Sequence, residues 1–182
     1  FVARVGAGGT SLGRAVHSVM ERIGWDGSGL AEAVALHAAA EGTDPDTVAA
    51  LARAGAEWAA RTVAGREVRE MFLSAMIGDT LTEGFVDLLW RDADGEFHLA
   101  DWKTDRKSTP AEIDRAMEDY RIQAGAYAAM CERTLGKRPK TMTFVFLRAL
   151  AEGREGAVRS VEPTDDLVAE AERGIQSSGR TR

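Results

Sequence analysis

The sequence predicts an α/β domain with a mixed central β-sheet flanked by helices, and three observations carry that prediction. Residues 68–77 form a strand-like run ended by Gly78-Asp79, and two more apolar-rich runs, 82–90 and 96–103, enclose the turn Arg91-Asp92-Ala93-Asp94-Gly95, so a three-stranded antiparallel meander is expected. A capped and striped helical segment then separates the meander from a further strand near 141–148. Upstream, three segments with helical periodicity add helices before the sheet begins.

Taken in order, Thr10 or Ser11 can cap a helix over 12–23, stopped by Gly24 and Gly27, with Ala15, Val16, Val19, Met20 and Ile23 as its apolar stripe. His17 lies beside that stripe, where the residue pattern by itself reads as the edge of the core. Alanine-rich helices follow over 30–40 and from Asp44-Pro45-Asp46-Thr47 to about residue 63, the second carrying Val48, Leu51, Ala56 and Trp58. His37 has no polar neighbour in sequence and reads as a packed or partly exposed histidine. After the meander, Thr109-Pro110-Ala111-Glu112 has the threonine cap, first-turn proline and back-bonding glutamate of a helix start, and the helix should end at Gly136. Ile113, Met117, Tyr120, Ala124, Tyr127 and Cys131 form its buried stripe, and Gln123 stands on or beside that face. A strand over 140–150, a short one near 157–161 and a helix from Pro163 to about Gly174 complete the domain, which is placed at 10–175 between a linker over 1–9 and a mobile polar tail over 176–182.

The hairpin carries the chemistry. Both of its strands hold charged residues where buried strands should hold none, and Asp101 and Lys103, two apart, emerge on one face. His98 points to the other face and reads as an ordinary strand residue. A two-residue loop at Asp94-Gly95 would turn Asp87 away from Asp101, whereas a three-residue loop closed by Gly95 in the left-handed region sets Asp87 directly opposite Asp101. The three-residue loop is expected. Two carboxylates that close repel unless a proton or a cation lies between them, and a divalent metal is the economical explanation. Spacing alone also admits a solvated ion pair and an aspartate at the sheet rim.

Composition narrows the class. The chain of 182 residues, 45% hydrophobic and 29% charged, suits one globular domain with its own core. No apolar run approaches the ~18–20 residues of a membrane span, and no signal peptide is visible, so a soluble intracellular (cytoplasmic) protein with no membrane partner is expected. The first residue, Phe1, and the glycine-rich opening read as a segment of a longer protein. The one cysteine, Cys131, excludes an internal disulfide, a cysteine-rich zinc site and a four-cysteine iron–sulfur cluster within this chain. A net charge of −6 argues against a surface coated for nucleic acid, but not against a local groove or a site that draws positive charge from metal. No nucleophile-elbow serine is present, and Gly6-Ala7-Gly8-Gly9 lacks the lysine of a phosphate loop. Carboxylates with open water positions suit Mg²⁺ or Mn²⁺, and Lys103 could orient a water or stabilise charge developing on a phosphate.

The ordered pieces Gly13-Arg14-Ala15-Val16-His17, Arg69-Glu70-Met71-Phe72, Glu83-Gly84-Phe85-Val86-Asp87-Leu88-Leu89, Leu99-Ala100-Asp101-Trp102-Lys103-Thr104-Asp105 and Tyr120-x-x-Gln123-x-x-x-Tyr127 resemble the RecB-type branch of the PD-(D/E)XK nuclease superfamily. Such domains close the C-terminal end of helicase–nucleases such as the RecB, AddA and AdnAB proteins. The resemblance implies a restriction-endonuclease-like core and a divalent-metal-dependent DNA nuclease acting in repair or recombination. Its cofactor would be Mg²⁺ or Mn²⁺, and its substrate single strands delivered by a helicase motor in the same chain or complex. It also implies roles: His17, Asp87, Asp101 and the backbone carbonyl of Trp102 as metal ligands, Asp87, Asp101 and Lys103 as catalytic residues, and Gln123, Tyr127 and Tyr120 as residues that support the site and contact DNA. Under it, His17 and Gln123 move from core boundary to site. Lacking the cysteine staple of several relatives, the chain sides with cluster-free, AddA-like members. The alternative is a nuclease-like domain without turnover that serves as a DNA-binding or structural partner.

Overall fold

The computed structural model describes residues 2–6 and 9–180. Its elements run β1 (Val2–Val5), α1 (Ser11–Arg22), α2 (Leu30–Glu41), α3 (Pro45–Thr62), β2 (Glu67–Ile77), β3 (Thr80–Arg91), β4 (Phe97–Lys103), α4 (Pro110–Leu135), β5 (Thr141–Phe146), α5 (Leu147–Ala151), β6 (Val158–Val161) and α6 (Asp165–Arg180). The six strands make one mixed sheet, as the sequence predicts: β2, β3 and β4 are the antiparallel meander, β5 joins β4 in parallel, and β6 returns antiparallel. No described helix is long and apolar enough to cross a membrane.

Helices α1, α3 and α4 each begin where a side chain takes an orphan backbone N–H. Thr10 accepts from Gly13 N, Asp44 from Thr47 N, and Thr109 and Glu112 form a reciprocal capping box at the start of α4. Helices α1, α2 and α3 cover one face of the sheet, where Trp58 of α3 meets Trp90 and Trp102 edge-on. On the other face, α4 and α6 bury Leu73, Val86, Leu99, Met142 and Phe144. The hairpin turn takes the three-residue form: Gly95 has φ of 78° and donates to the Asp92 carbonyl, and the Asp92 N–H donates to the Glu96 carbonyl.

The edges of β3 create the site. β2 takes one edge along its whole length, so β1 and β4 must share the other, β1 pairing with 81–84 and β4 with 88–91. Residues 85–87 lie between the two, where the sheet splits. The β2–β3 ladder also breaks at one place, between Glu70 and Asp87, and Glu70 has φ of 49°, the one positive value at a non-glycine position among the described residues. At that break the side-chain alternation slips. Arg69 and Glu70 both turn toward α1, and Asp87 and Leu88 both face the α1–α3 side.

Three segments differ from the sequence reading. Val2–Val5, taken there as part of a linker, is a strand, because the departure of β4 leaves an edge of β3 open for it. The strand predicted over 140–150 stops at Phe146 and turns into α5, whose Leu147 joins the α1–α3 core. Helix α6 runs on past Gly174 to Arg180, held where Ile175 packs on the α4 cluster; residues 181–182 of the predicted tail lie outside the described part, as do 1, 7 and 8 of the predicted linker.

Helix α6 closes on α4 through Gly125, where an added Cβ would lie 2.6 Å from the Leu167 carbonyl oxygen and 2.9 Å from the Ala171 Cβ. Alanine gains about 1 kcal/mol over glycine in an open helix, but overpacking against backbone costs about 1–3 kcal/mol. Gly125→Ala should therefore lower the midpoint of thermal unfolding; an unchanged or raised midpoint would contradict this packing.

Candidate metal centre and active site

β4 runs three residues beyond its last contact with β3, the Leu88–Ala100 pair. Trp102 there loses a strand partner for its N–H and C=O, which a buried backbone cannot leave unsatisfied. Asp87 fills the gap from β3: its Oδ2 accepts the Trp102 N–H at 2.6 Å. The Trp102 carbonyl accepts from His17 Nε2 at 3.0 Å. A carboxylate and an imidazole are thus built into the split of the sheet, 8% of Asp87 remaining exposed.

Helix α1 presents His17 through two contacts. Gly13, one turn earlier, lies so close to the residue after β4 that a Cβ would sit 3.0 Å from Thr104 Oγ1, which gives the Gly-x-x-x-His spacing a steric reason. At the other end, Arg69 donates to the carbonyls of Met20 and Ile23 at 2.9 and 2.6 Å, holding the C-terminus of α1. The unusual backbone at Glu70 lets the next side chain join the same face. Glu70 Oε1 and Asp87 Oδ1 lie 3.7 and 3.2 Å from His17 Nδ1. One potential ligand atom from each of His17, Glu70 and Asp87 falls within 4.8 Å of the others.

Asp101 and Lys103 share a face, as alternation requires, and that face is the one toward α4. Lys103 Nζ is 2.7 Å from Asp101 Oδ2 and donates to Gln123 Oε1 at 3.0 Å, while Gln123 Nε2 donates to Asp101 Oδ1 at 3.0 Å. One amide on α4 therefore orients both the acid and the base. Beneath them, the Tyr120 ring lies 4.2 Å from Lys103 Nζ, and its hydroxyl donates to Asp105 Oδ2 at 2.8 Å. Tyr127 is buried, and its hydroxyl donates to the Phe85 carbonyl at 2.5 Å, bracing the stretch of β3 that lies between β1 and β4 on that edge. Burial and the nearby carboxylates push both phenols up, so each stays a neutral donor.

His17, Asp87, Asp101, Trp102, Lys103, Tyr120 and Tyr127 all line one cavity of ≈ 1090 Å³, and Gln123 reaches it through its bonds to Asp101 and Lys103. The register carries the Leu88–Ala100 pair on toward Asp87 and Asp101, but the strands part there, and Asp87 turns to His17 on the α1 side while Asp101 turns to Gln123 on α4. Asp101 turns to Lys103 and Gln123 and stands outside the three-residue cluster. The member without a role in the sequence reading is Glu70. Its signals were an acid inside a strand-like run and its place in the Arg69-Glu70-Met71-Phe72 motif, and neither assigned it a role. His98 stacks on Trp90 at 5.2 Å and binds Asp92 and Thr141, away from the cavity.

Electrostatics favour a cation here. Burial opposes the charged imidazolium of His17, but Asp87, Glu70 and Asp101 outweigh it and hold its pKa well above the ordinary histidine value. Burial, reinforced by Asp101 and Glu70, pushes the Asp87 carboxyl up, while His17 pulls against it. Both ring nitrogens face acceptors, so the protonated ring occupies the place of a positive charge. Imidazole nitrogen and carboxylate oxygens are also donors that Mn²⁺ and Mg²⁺ accept, and the cluster fits a divalent cation.

Fold and cavity together define an α/β domain with a cluster of one histidine and two acids, suited to hold a cation, at a split in its sheet. Residues 4–181 match the PD-(D/E)XK nuclease superfamily, whose nucleases use divalent metals, and the chain belongs to it. Among solved structures, the crystal structure of SSO0001 is similar, with 13% identity, 100% of this chain and 76% of that chain covered, and a TM-score of 0.48. No curated protein matches the chain.

The two raised pKa values set the sign of a stability prediction. A histidine or a carboxyl whose folded pKa is raised binds protons more tightly in the folded state, so stability is lost as pH rises through the folded pKa. For His17 the loss begins near its unfolded value of about 6.5 and extends above it; for Asp87 it begins near about 3.9. In a chelator, the thermal midpoint should fall as pH rises above about 6.5. Mn²⁺ should restore it most at the upper end, a cation at about 100 times its Kd adding about 2.7 kcal/mol. Glu70→Gln should raise the midpoint at high pH in chelator and shrink the Mn²⁺-induced rise. A cation response unchanged by that substitution would remove Glu70 from the centre.

Proposed function

We propose that this chain is a Mg²⁺- or Mn²⁺-dependent deoxyribonuclease of the RecB type, acting inside the cell on single strands delivered by a helicase motor during repair or recombination. What supports the reading best is one cavity in which His17, Glu70 and Asp87 converge beside the Asp101–Lys103 pair. His17, Glu70 and Asp87 would hold the cation, with the Trp102 carbonyl and Asp101 adjacent. A bound divalent cation supplies the Lewis acidity that activates water and neutralises charge on the scissile phosphate.

The chain's own groups do the rest. Lys103 carries a compact positive charge with three donors, aimed by Asp101 and Gln123, and it can orient the attacking water or bind a non-bridging phosphate oxygen as charge accumulates there. Asp101, held by Gln123, keeps the ammonium at the reacting phosphate. His17 and Asp87 give up their shared proton when the cation binds, so activity falls in acid. Water attacks phosphorus, and one P–O ester bond breaks to release a phosphate end and a hydroxyl end.

Labelled single- and double-stranded DNA incubated with Mn²⁺, Mg²⁺ or chelator tests this. Cleavage should require the cation, Asp87→Ala should abolish it, and Lys103→Ala should slow it by about 100-fold or more. Binding without cation-dependent cutting would instead assign the chain to the DNA-binding partner class, and neither binding nor cutting would overturn the reading.

A further inference from the structure

Phe72 of β2 and Phe85 of β3 face each other across the strand pair, ring centroids 5.2 Å apart, yet stay 50% and 54% exposed and join neither core cluster. Both line the cavity of the metal centre. Phe85 precedes Asp87 by two residues and Phe72 follows Glu70 by two, so the pair lies on the face of those carboxylates, roughly 7 Å further along the strands. Helices α1–α3 cover only the part of that face beyond the split. Large apolar rings left bare beside a polar centre mark a binding surface.

The cavity's charge says what binds. Arg4, Arg106 and Arg148 also line it, and none forms an ion pair with a described carboxylate. The Nε of Arg148 is buried without any partner. Unpaired guanidinium groups call for an anion, and flat rings call for a flat apolar face; a nucleic-acid strand offers both, phosphate by phosphate and base by base. An apolar peptide would leave the arginines unanswered.

We propose that Phe72 and Phe85 are a stacking shelf for the nucleobase next to the scissile phosphate, with Arg148 holding a neighbouring phosphate, so that the site takes a strand whose bases are unpaired. In a duplex interior both faces of each base are already stacked and the shelf has no surface to meet. The proposal rests on the nuclease reading and adds the residues by which single strands are preferred.

Two oligonucleotides of equal length separate the shelf from the rest of the site: one with normal bases and one abasic on both sides of the cleaved linkage. Cleavage is measured with Mn²⁺ for the wild type, Phe72→Leu/Phe85→Leu and Phe72→Trp/Phe85→Trp, each checked for an unchanged thermal midpoint. Loss of a base–aromatic stack should cost the leucine variant about 10-fold in kcat/KM on the normal strand, chiefly in KM, and the tryptophan variant should keep wild-type activity. On the abasic strand all three should be equal. Equal losses on both strands, or no loss on the normal one, would overturn the shelf. A wild type that cuts neither strand would sink the nuclease reading itself and the shelf with it, a result distinct from either.

Discussion

Where β4 parts from β3, the backbone N–H and C=O of a buried tryptophan lose their strand partner, and the active centre follows from how that debt is met. Asp87 answers the N–H and His17 answers the carbonyl, so a carboxylate from the sheet and an imidazole from α1 must converge. The parting also opens the edge that β1 occupies, while alternation along β4 from Leu99 keeps Asp101 and Lys103 toward α4. Closing the ladder would satisfy the backbone more simply, and it would remove the site.

The charges gathered at the split are costly without a counterion. Two acids and one histidine share a small volume with Asp101 near enough to act on the ring, and Glu70 also sits in a backbone conformation that costs about 1–3 kcal/mol for a residue with a Cβ. The proton on His17 offsets part of this repulsion in the cation-free protein. A divalent cation would do so more completely, and its binding would then add directly to stability. In the same cavity, Gln123 and Tyr120 add neutral contacts to the Asp101 ion pair that holds the Lys103 ammonium.

Much of this was legible in the residues. The Asp-Gly turn narrowed the hairpin to two registers, of which the expected one, with Gly95 in the left-handed region, is found, and Thr109, Pro110, Glu112 and Gly136 marked the start and stop of α4, because caps and turns are local chemistry. The order of five motifs brought His17 and Gln123 forward, where helical periodicity alone had placed them at the core boundary. What stayed hidden depends on distant partners. The slip at Glu70 exists because Arg69 must reach α1 while Glu70 faces His17, and no window of β2 contains that requirement. β1 reads as a glycine-flanked linker until β3 offers it an edge, and α6 passes Gly174 because Ile175 finds the α4 cluster.

Anomalous diffraction from crystals grown with Mn²⁺ examines the centre most directly. The account predicts a single strong peak coordinated by His17, Glu70 and Asp87, with the Trp102 carbonyl turned toward it and the His17–Asp87 contact broken. A peak elsewhere in the cavity, or none while the imidazole remains on Asp87, would contradict it.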